Sequence, residues 1–304
     1  MNSSSAIAAL WLPVARRFSR HHAAIAGLGL LGVLIAAALV APPVVSALGL
    51  DPAATDLGAR FQPPSAAHPL GTDELGRDVL ARLLFGARVS LAVGFSAAFA
   101  TALIGTTIGL AAGYFGGRLD AILMRVTDGV IALPLLPLLI VLAAVDPEKL
   151  GLPRAFAESE SASLYRVIFI VALLGWTTVA RLVRAAALGI RERPFVLAAR
   201  AQGAGPGRIM RVHVLPNLAS PIIVATTLSA GHVILLESVL SFLGLGIQPP
   251  TPSWGNLLAN AQELVWSAPA LAVYPGLLIF VTVVAFNFVG DGLQDALDPR
   301  ETRT

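Results

Sequence analysis

Cysteine is absent from the 304 residues, so the chain can form no disulfide and offers no thiolate to a metal or a substrate. Charge is scarce as well. Asp, Glu, Lys and Arg make up 13% of the residues, where soluble domains carry about 25%. There is no H-E-x-x-H and no G-x-S-x-G, which removes the commonest metal-hydrolase and serine-hydrolase signatures. What remains is apolar: 56% hydrophobic residues and a mean hydropathy of +0.78, a composition suited to lipid. An isoelectric point near 9.9 would suggest nucleic acid in a soluble protein. Here the net charge is only +3 and the arginines gather at the ends of apolar segments, so membrane lipid accounts for them and nucleic acid does not.

Six apolar stretches stand out, over about 23–43, 89–114, 120–145, 166–189, 219–241 and 270–291. The first has an uncharged core at 23–41 that extends roughly 28 Å as a helix, enough to cross a hydrocarbon layer. A signal peptide's apolar core is shorter, so this segment reads as a retained transmembrane helix. The expected fold is all-α: a polytopic membrane protein with six transmembrane helices. With the N-terminus inside, Arg16, Arg17, Arg20, Arg118, Arg184, Arg191, Arg193, Arg200, Arg208 and Arg211 fall on the cytoplasmic side. That excess places both termini in the cytoplasm. Gly105, Gly109 and Gly113 share one face of the second helix and predict close helix packing. Pro134 and Pro137 predict a kink or break in the third.

One polar interruption carries the functional question. Residues 193–217 read RPFVLAARAQGAGPGRIMRVHVLPN. A phosphate-binding loop needs G-x-x-x-x-G-K-[ST], and neither that spacing nor the Lys-Ser/Thr pair is present. Pro194 instead suits a first helical position and Gly203 a C-cap. The segment is expected to form two short helices around a glycine bend, the second running from Pro206 until Pro216 ends it. Phe195, Leu197, Ile209, Met210, Val212 and Leu215 alternate with arginines there. Such a segment suits either a lipid interface or a groove in a partner protein.

Family resemblance separates these two. Leu197, Ala198 and Ala199, then Gly203, then Leu215 and Pro216 follow the spacing of the EAA signature, E-A-A-x(3)-G-x(9)-I-x-L-P. That signature marks the membrane subunits of binding-protein-dependent ABC importers. The stretches HPLGTDELGRDVLARLLFGARVSL (68–91), LSFLGLGIQPPTPSWGNLL (240–258) and FNFVGDGLQDALDPR (286–300) resemble the second, C-type permease of dipeptide, oligopeptide and nickel importers. The resemblance implies the type I importer (MetI-like) permease fold. It divides the chain into a cytoplasmic tail (1–22), a first helix with an external loop (23–85), a permease core (86–295) carrying the cytoplasmic loop 193–217, and a tail (296–304). It further implies an inner-membrane transport subunit, not an enzyme, with a B-type second permease, two ATP-binding subunits, an external substrate-binding protein and a peptide as cargo. ATP and Mg would act on the partner subunits, with no cofactor and no metal in this chain. Leu197, Ala198, Ala199, Gly203, His213, Leu215 and Pro216 would couple it to the ATPase. Leu197 replaces the signature's glutamate and His213 its isoleucine, so a polar contact made by that glutamate is either absent here or supplied by a neighbour such as Glu192.

Four further polar residues fall within apolar stretches. Arg125 and Asp128 are expected to pair at i,i+3, and His232 and Glu237 to serve gating or packing. Asp291, Asp295 and Asp298 read as solvated charges near Arg300. Two other cargo readings stand beside peptide import: nickel or another small solute in the same family, and an ion-coupled secondary transporter. The latter would need coupling-ion residues at mid-membrane and often an inverted repeat, and no convincing repeat is visible.

Overall fold

The computed structural model describes residues 14–297, apart from 146, 152, 154–158, 160 and 260. Helices dominate, and among the described residues the only β-type pairing is a single bridge between Thr72 and Asp78. We number the principal helices α1 (His22–Ala47), α2 (Val79–Phe115), α3 (Gly117–Ala132), α4 (Leu135–Ala144), α5 (Ala162–Arg191), α6 (Pro194–Ala201), α7 (Pro206–Phe242) and α8 (Ala270–Leu297). Five of these, α1, α2, α5, α7 and α8, are each long and apolar enough to span a bilayer. The third apolar stretch is not one helix. It is the pair α3 and α4, bent by 85°. Pro134 has no N–H to donate and forces Leu133 out of helical geometry into an extended conformation (ψ 138), so the chain turns there.

Helix α2 starts ten residues before the apolar stretch that announces it. Asp78 caps it by accepting the N–H of Ala81 at 2.8 Å, and its other carboxylate oxygen lies 3.0 Å from His68 Nδ1. Arg82 is therefore inside a helix, not in a loop. It is buried against Asp73 (3.4 Å) and the carbonyl of Pro52 (3.3 Å). Asp73 also accepts from Arg77 Nε at 2.7 Å, so the buried charges of this turn are mutually paired. The domain boundary expected at residue 85 consequently falls within α2.

The three glycines of α2 meet α5. A Cβ added at Gly105 would stand 2.6 Å from the carbonyl oxygen of Trp176, and one at Gly113 would stand 2.7 Å from Ala187 Cβ. At Gly109 it would run into the carbonyl of Ala180. The two backbones thus touch along three successive turns, the means by which helices gain dispersion energy where lipid removes the hydrophobic drive. Helix α1 buries Leu31, Leu34, Ala38, Ala41 and Val45 toward α2 and α8 and leaves Val33 and Leu39 outward. Its start is tied to the last helix, with His21 Nε2 3.4 Å from Asp295. Asp298 and Arg300 lie outside the described residues.

Gly109→Leu should prevent α2 and α5 from seating. The expected cost is at or beyond the upper end of ordinary overpacking, about 3 kcal/mol, read as a collapse of the monodisperse fraction of detergent-purified chain. Gly29→Leu, on α1 with nothing within 4 Å of the new carbon, should leave that fraction unchanged.

Candidate functional site

The 193–217 segment forms a helix, a tight turn and the start of a second, much longer helix. Pro194 occupies the first turn of α6, where its missing N–H costs nothing. At the other end Gly203 adopts φ +81, Ala204 N–H bonds the carbonyl of Ala199 at 3.1 Å, and Gly203 N–H bonds that of Arg200 at 3.0 Å. These are the paired bonds of a Schellman C-cap. A Cβ at Gly203 would meet open space, so only the backbone conformation demands glycine there.

The second helix does not stop at Pro216. A helical turn at Pro206–Ile209 passes into a π-turn over Met210–Val214 and a 3-10 turn over Leu215–Leu218, then continues through Ala219–Phe242. The wide turn absorbs the proline, whose missing N–H would otherwise leave a gap in the ladder. Asn217 Nδ2 donates to the His213 carbonyl at 2.7 Å and occupies one acceptor freed by this break. The expected second short helix is thus the root of α7, and any displacement of the turn is passed directly into a membrane-spanning element.

Burial divides the segment into two faces. Val196, Ala199, Ile209, Val214 and Leu218 pack into a cluster with Tyr114 of α2 and Val179, Val183 and Ala187 of α5. Arg200 lies over the Tyr114 ring at 5.8 Å. On the other face Phe195, Leu197 and Val212 are exposed. His213 is half-buried, with its ring 6.4 Å from that of Phe195. Ala198 and Pro216 are exposed and Leu215 half-buried. Residues 197–199, Gly203 and His213 therefore share one compact unit, and Leu215 and Pro216 form its base. Glu192 is not on α6. It caps α5 and accepts from Arg191 Nε at 2.9 Å.

The four intramembrane polar residues are not brought together. Asp128 pairs with Arg181 of α5, and Arg125 is exposed without it, so the expected Arg125–Asp128 pair is corrected to an interhelical one. A second rung joins Asp120 to Arg184, with Arg184 Nη2 donating at 2.6 Å. An i,i+3 pair loses here because two arginines one turn apart on α5 face both aspartates of α3, and an interhelical contact adds packing that a local pair cannot.

Glu237, near the end of α7 remote from the 193–217 turn, is fully enclosed. It accepts hydroxyl protons from Ser241 (2.7 Å), Ser253 (2.9 Å) and Ser90 (3.3 Å). Ser90 in turn accepts Trp254 N–H at 3.1 Å, and Trp254 Nε1 donates to the Leu83 carbonyl at 3.1 Å. The loop after α7 is thereby knotted onto α2. A Cβ at Gly255 would stand 2.6 Å from Ser238 Cα, which accounts for the Trp-Gly pair. Ser90 and Trp254 escaped the sequence reading because their partners are 147 and 171 residues away. His232 stands apart on α7, exposed and lining cavities. Among the described residues no group of His, Asp and Glu is placed to hold a metal ion.

Comparison with known proteins places this architecture. Residues 105–303 match the family model described as "binding-protein-dependent transport system inner membrane component". Residues 9–64 match the "N-terminal TM domain of oligopeptide transport permease C". A dipeptide transport system permease protein of Alkalihalophilus pseudofirmus is 39% identical over 95% of this chain and 90% of its own. A glutathione transport system permease protein of Pectobacterium atrosepticum is 38% identical over 95% and 91%. Among solved structures, a chain of the MetNI methionine ABC transporter in an inward-facing conformation superposes with a TM-score of 0.52 at 20% identity. It covers 68% of this chain and 91% of that one, and the likeness concerns the fold.

Glu237→Ala should leave three buried hydroxyls without their acceptor, at about 1–3 kcal/mol for each group left unpaired. Glu237→Gln keeps an acceptor oxygen and should lose clearly less. Thermal unfolding in detergent and protease cleavage within 243–258 should both rank wild type above Gln above Ala.

Proposed function

The chain belongs to the family of binding-protein-dependent transport system inner membrane components and is a permease subunit of an ABC importer; from that premise we propose that its cargo is a peptide and that the 193–217 turn is the point where ATP hydrolysis drives it. The cargo reading rests on the relatives named for dipeptide and glutathione transport. The coupling reading rests on one observation: an exposed apolar patch of Phe195, Leu197 and Val212, set on a base packed against α2 and α5 and continuous with α7.

The mechanism follows from that geometry. The chain supplies no ATPase site of its own and needs no cofactor; two partner ATPases bind ATP and Mg, and one of them receives the patch in a groove. Closure of the ATPases would carry α6 as a rigid unit, because its buried side is packed and its C-terminus is locked by the Schellman turn. Motion of Gly203 and Pro206 reaches α7 without an intervening loop, and α7 and the second, B-type permease then alternate their access. An external binding protein delivers the peptide to the opposite face. In this orientation both termini and the 193–217 turn are cytoplasmic, in keeping with their arginines. Leu197, Ala198, Ala199, Gly203, His213, Leu215 and Pro216 form the coupling unit. Leu197 meets the ATPase by apolar contact in place of a carboxylate, since Glu192 is engaged with Arg191.

Gly203→Arg places a side chain at φ +81 and should unlock the turn while leaving the packed base in place. The complex should still co-purify, but peptide-stimulated ATP hydrolysis should be lost; normal stimulation in this variant would refute the coupling role. For the cargo, mass spectrometry of the ligand carried by the cognate binding protein should find peptides. A metal chelate or sugar there would overturn the peptide reading.

A further inference from the structure

Three open-sided cavities, of about 240, 320 and 600 Å³, adjoin one another along the seam between α5 and α7. The first and second share Thr178, His232 and Leu236 among their linings, and the second and third share Leu182, Val224 and Gln294. They therefore form one groove. It starts at the α3–α4 break, beside Leu133 and Leu135, and ends at Arg193 and Asn217 in the 193–217 turn. Helix α7 lines it along one face, whose central row is Ser220, Val224, Leu228, His232 and Leu236 at four-residue spacing. Volumes of this order suit a small ligand.

The chemistry of the groove is one-sided. Its walls are mostly aliphatic, and the polar groups are uncharged hydroxyls and amides, such as Thr178, Ser229, Gln294 and Asn217, beside the two ionisable residues His232 and Arg193. Among the described residues no Asp or Glu lines any of the three cavities. His232 lies about 20 Å along the helix from Ala219, near the middle of the span. It makes no hydrogen bond or ion pair with any described residue, in contrast to Glu237 on the same helix, which is saturated with hydroxyl donors. An ionisable side chain at this depth belongs in a protein-lined or wet cavity and not against lipid. An imidazole there always offers at least one N–H to an acceptor, and in its cationic form two.

We propose that His232 is a specificity-determining residue of the transport path, donating to the C-terminal carboxylate of the peptide as it passes, with Arg193 the next cationic group at the end of the groove. The inference rests on the peptide reading above and adds which group of the peptide is recognised, and where. A peptide moving along the groove exchanges one cationic or N–H-donating contact for another without meeting a carboxylate that would repel it.

The test uses the whole importer in liposomes: this chain with its second permease, both ATP-binding subunits and the binding protein. Uptake of trialanine and of trialanine carboxamide is measured at saturating loaded binding protein, for wild type, His232→Ala and His232→Arg. Replacement by Ala should lower the maximal rate for trialanine about tenfold, the scale of one charge-assisted hydrogen bond, with the half-saturating concentration unchanged. Arg should restore most of it. The carboxamide should move slowly, and equally, through wild type and the Ala variant. Unchanged trialanine uptake in the Ala variant, or an equal loss for both peptides, would overturn the proposal. So would loss of the second permease on co-purification of that variant, since His232 would then be a subunit contact. A wild-type complex that imports neither peptide overturns the peptide reading and this one together, whereas wild-type uptake with an indifferent His232 overturns this one alone.

Discussion

Backbone contact between α2 and α5 is the constraint on which the rest of this structure depends. Lipid provides no hydrophobic force between helices, so association relies on close packing. Glycine at 105, 109 and 113 allows α5 to lie against α2 with side chains removed from the seam. Once that seam is set, both ends of α2 become anchors. At one end Tyr114 and the Gly113 carbonyl receive the 193–217 turn and Arg191. At the other, Ser90 and the Leu83 carbonyl receive the Trp254 loop. A 37-residue helix thus joins the 193–217 turn and the Trp254 loop as one stiff rod.

Helices α2 and α7 differ in the continuity of their backbones. Helix α2 runs unbroken from an Asp cap to a glycine stop. Helix α7 begins with a π-turn and a 3-10 turn around Pro216, regions where the hydrogen-bond ladder is already altered and small rearrangements cost least. Helices α3 and α4 are broken outright at Leu133 and Pro134. Helix α3 buries only Thr127 and is held to α5 by two ion pairs, Asp120–Arg184 and Asp128–Arg181. The interrupted backbones, at the start of α7 and at the α3–α4 break, flank the groove that contains His232.

Much of this was legible before any coordinates. Apolar runs of sufficient length have one outcome in a bilayer, because unsatisfied backbone groups cannot face lipid. The glycine spacing in α2 named the closest helix contact, and Pro194 and Gly203 marked the ends of α6 by local chemistry alone. Errors arose where a local rule met a competing arrangement. Arg125 and Asp128 are suitable neighbours on one helix, but Arg181 and Arg184 reach across from another. Pro216 is a helix breaker by rule, yet the chain passes it by widening one turn.

Sequence by itself determined the helical class, the number of apolar segments and the position of the turn at Gly203, since each depends on composition, period or caps within a few residues. Only the tertiary structure decided that the turn is the root of α7, that Glu237 is a knot joining α2 to the loop after α7, and that His232 lies in a groove with no acid among its described lining residues. The first is set by a widened turn around Pro216, the others by groups more than a hundred residues apart or by the shape left between helices. No local period encodes either, because the donor, the acceptor and the empty space between helices exist only after packing.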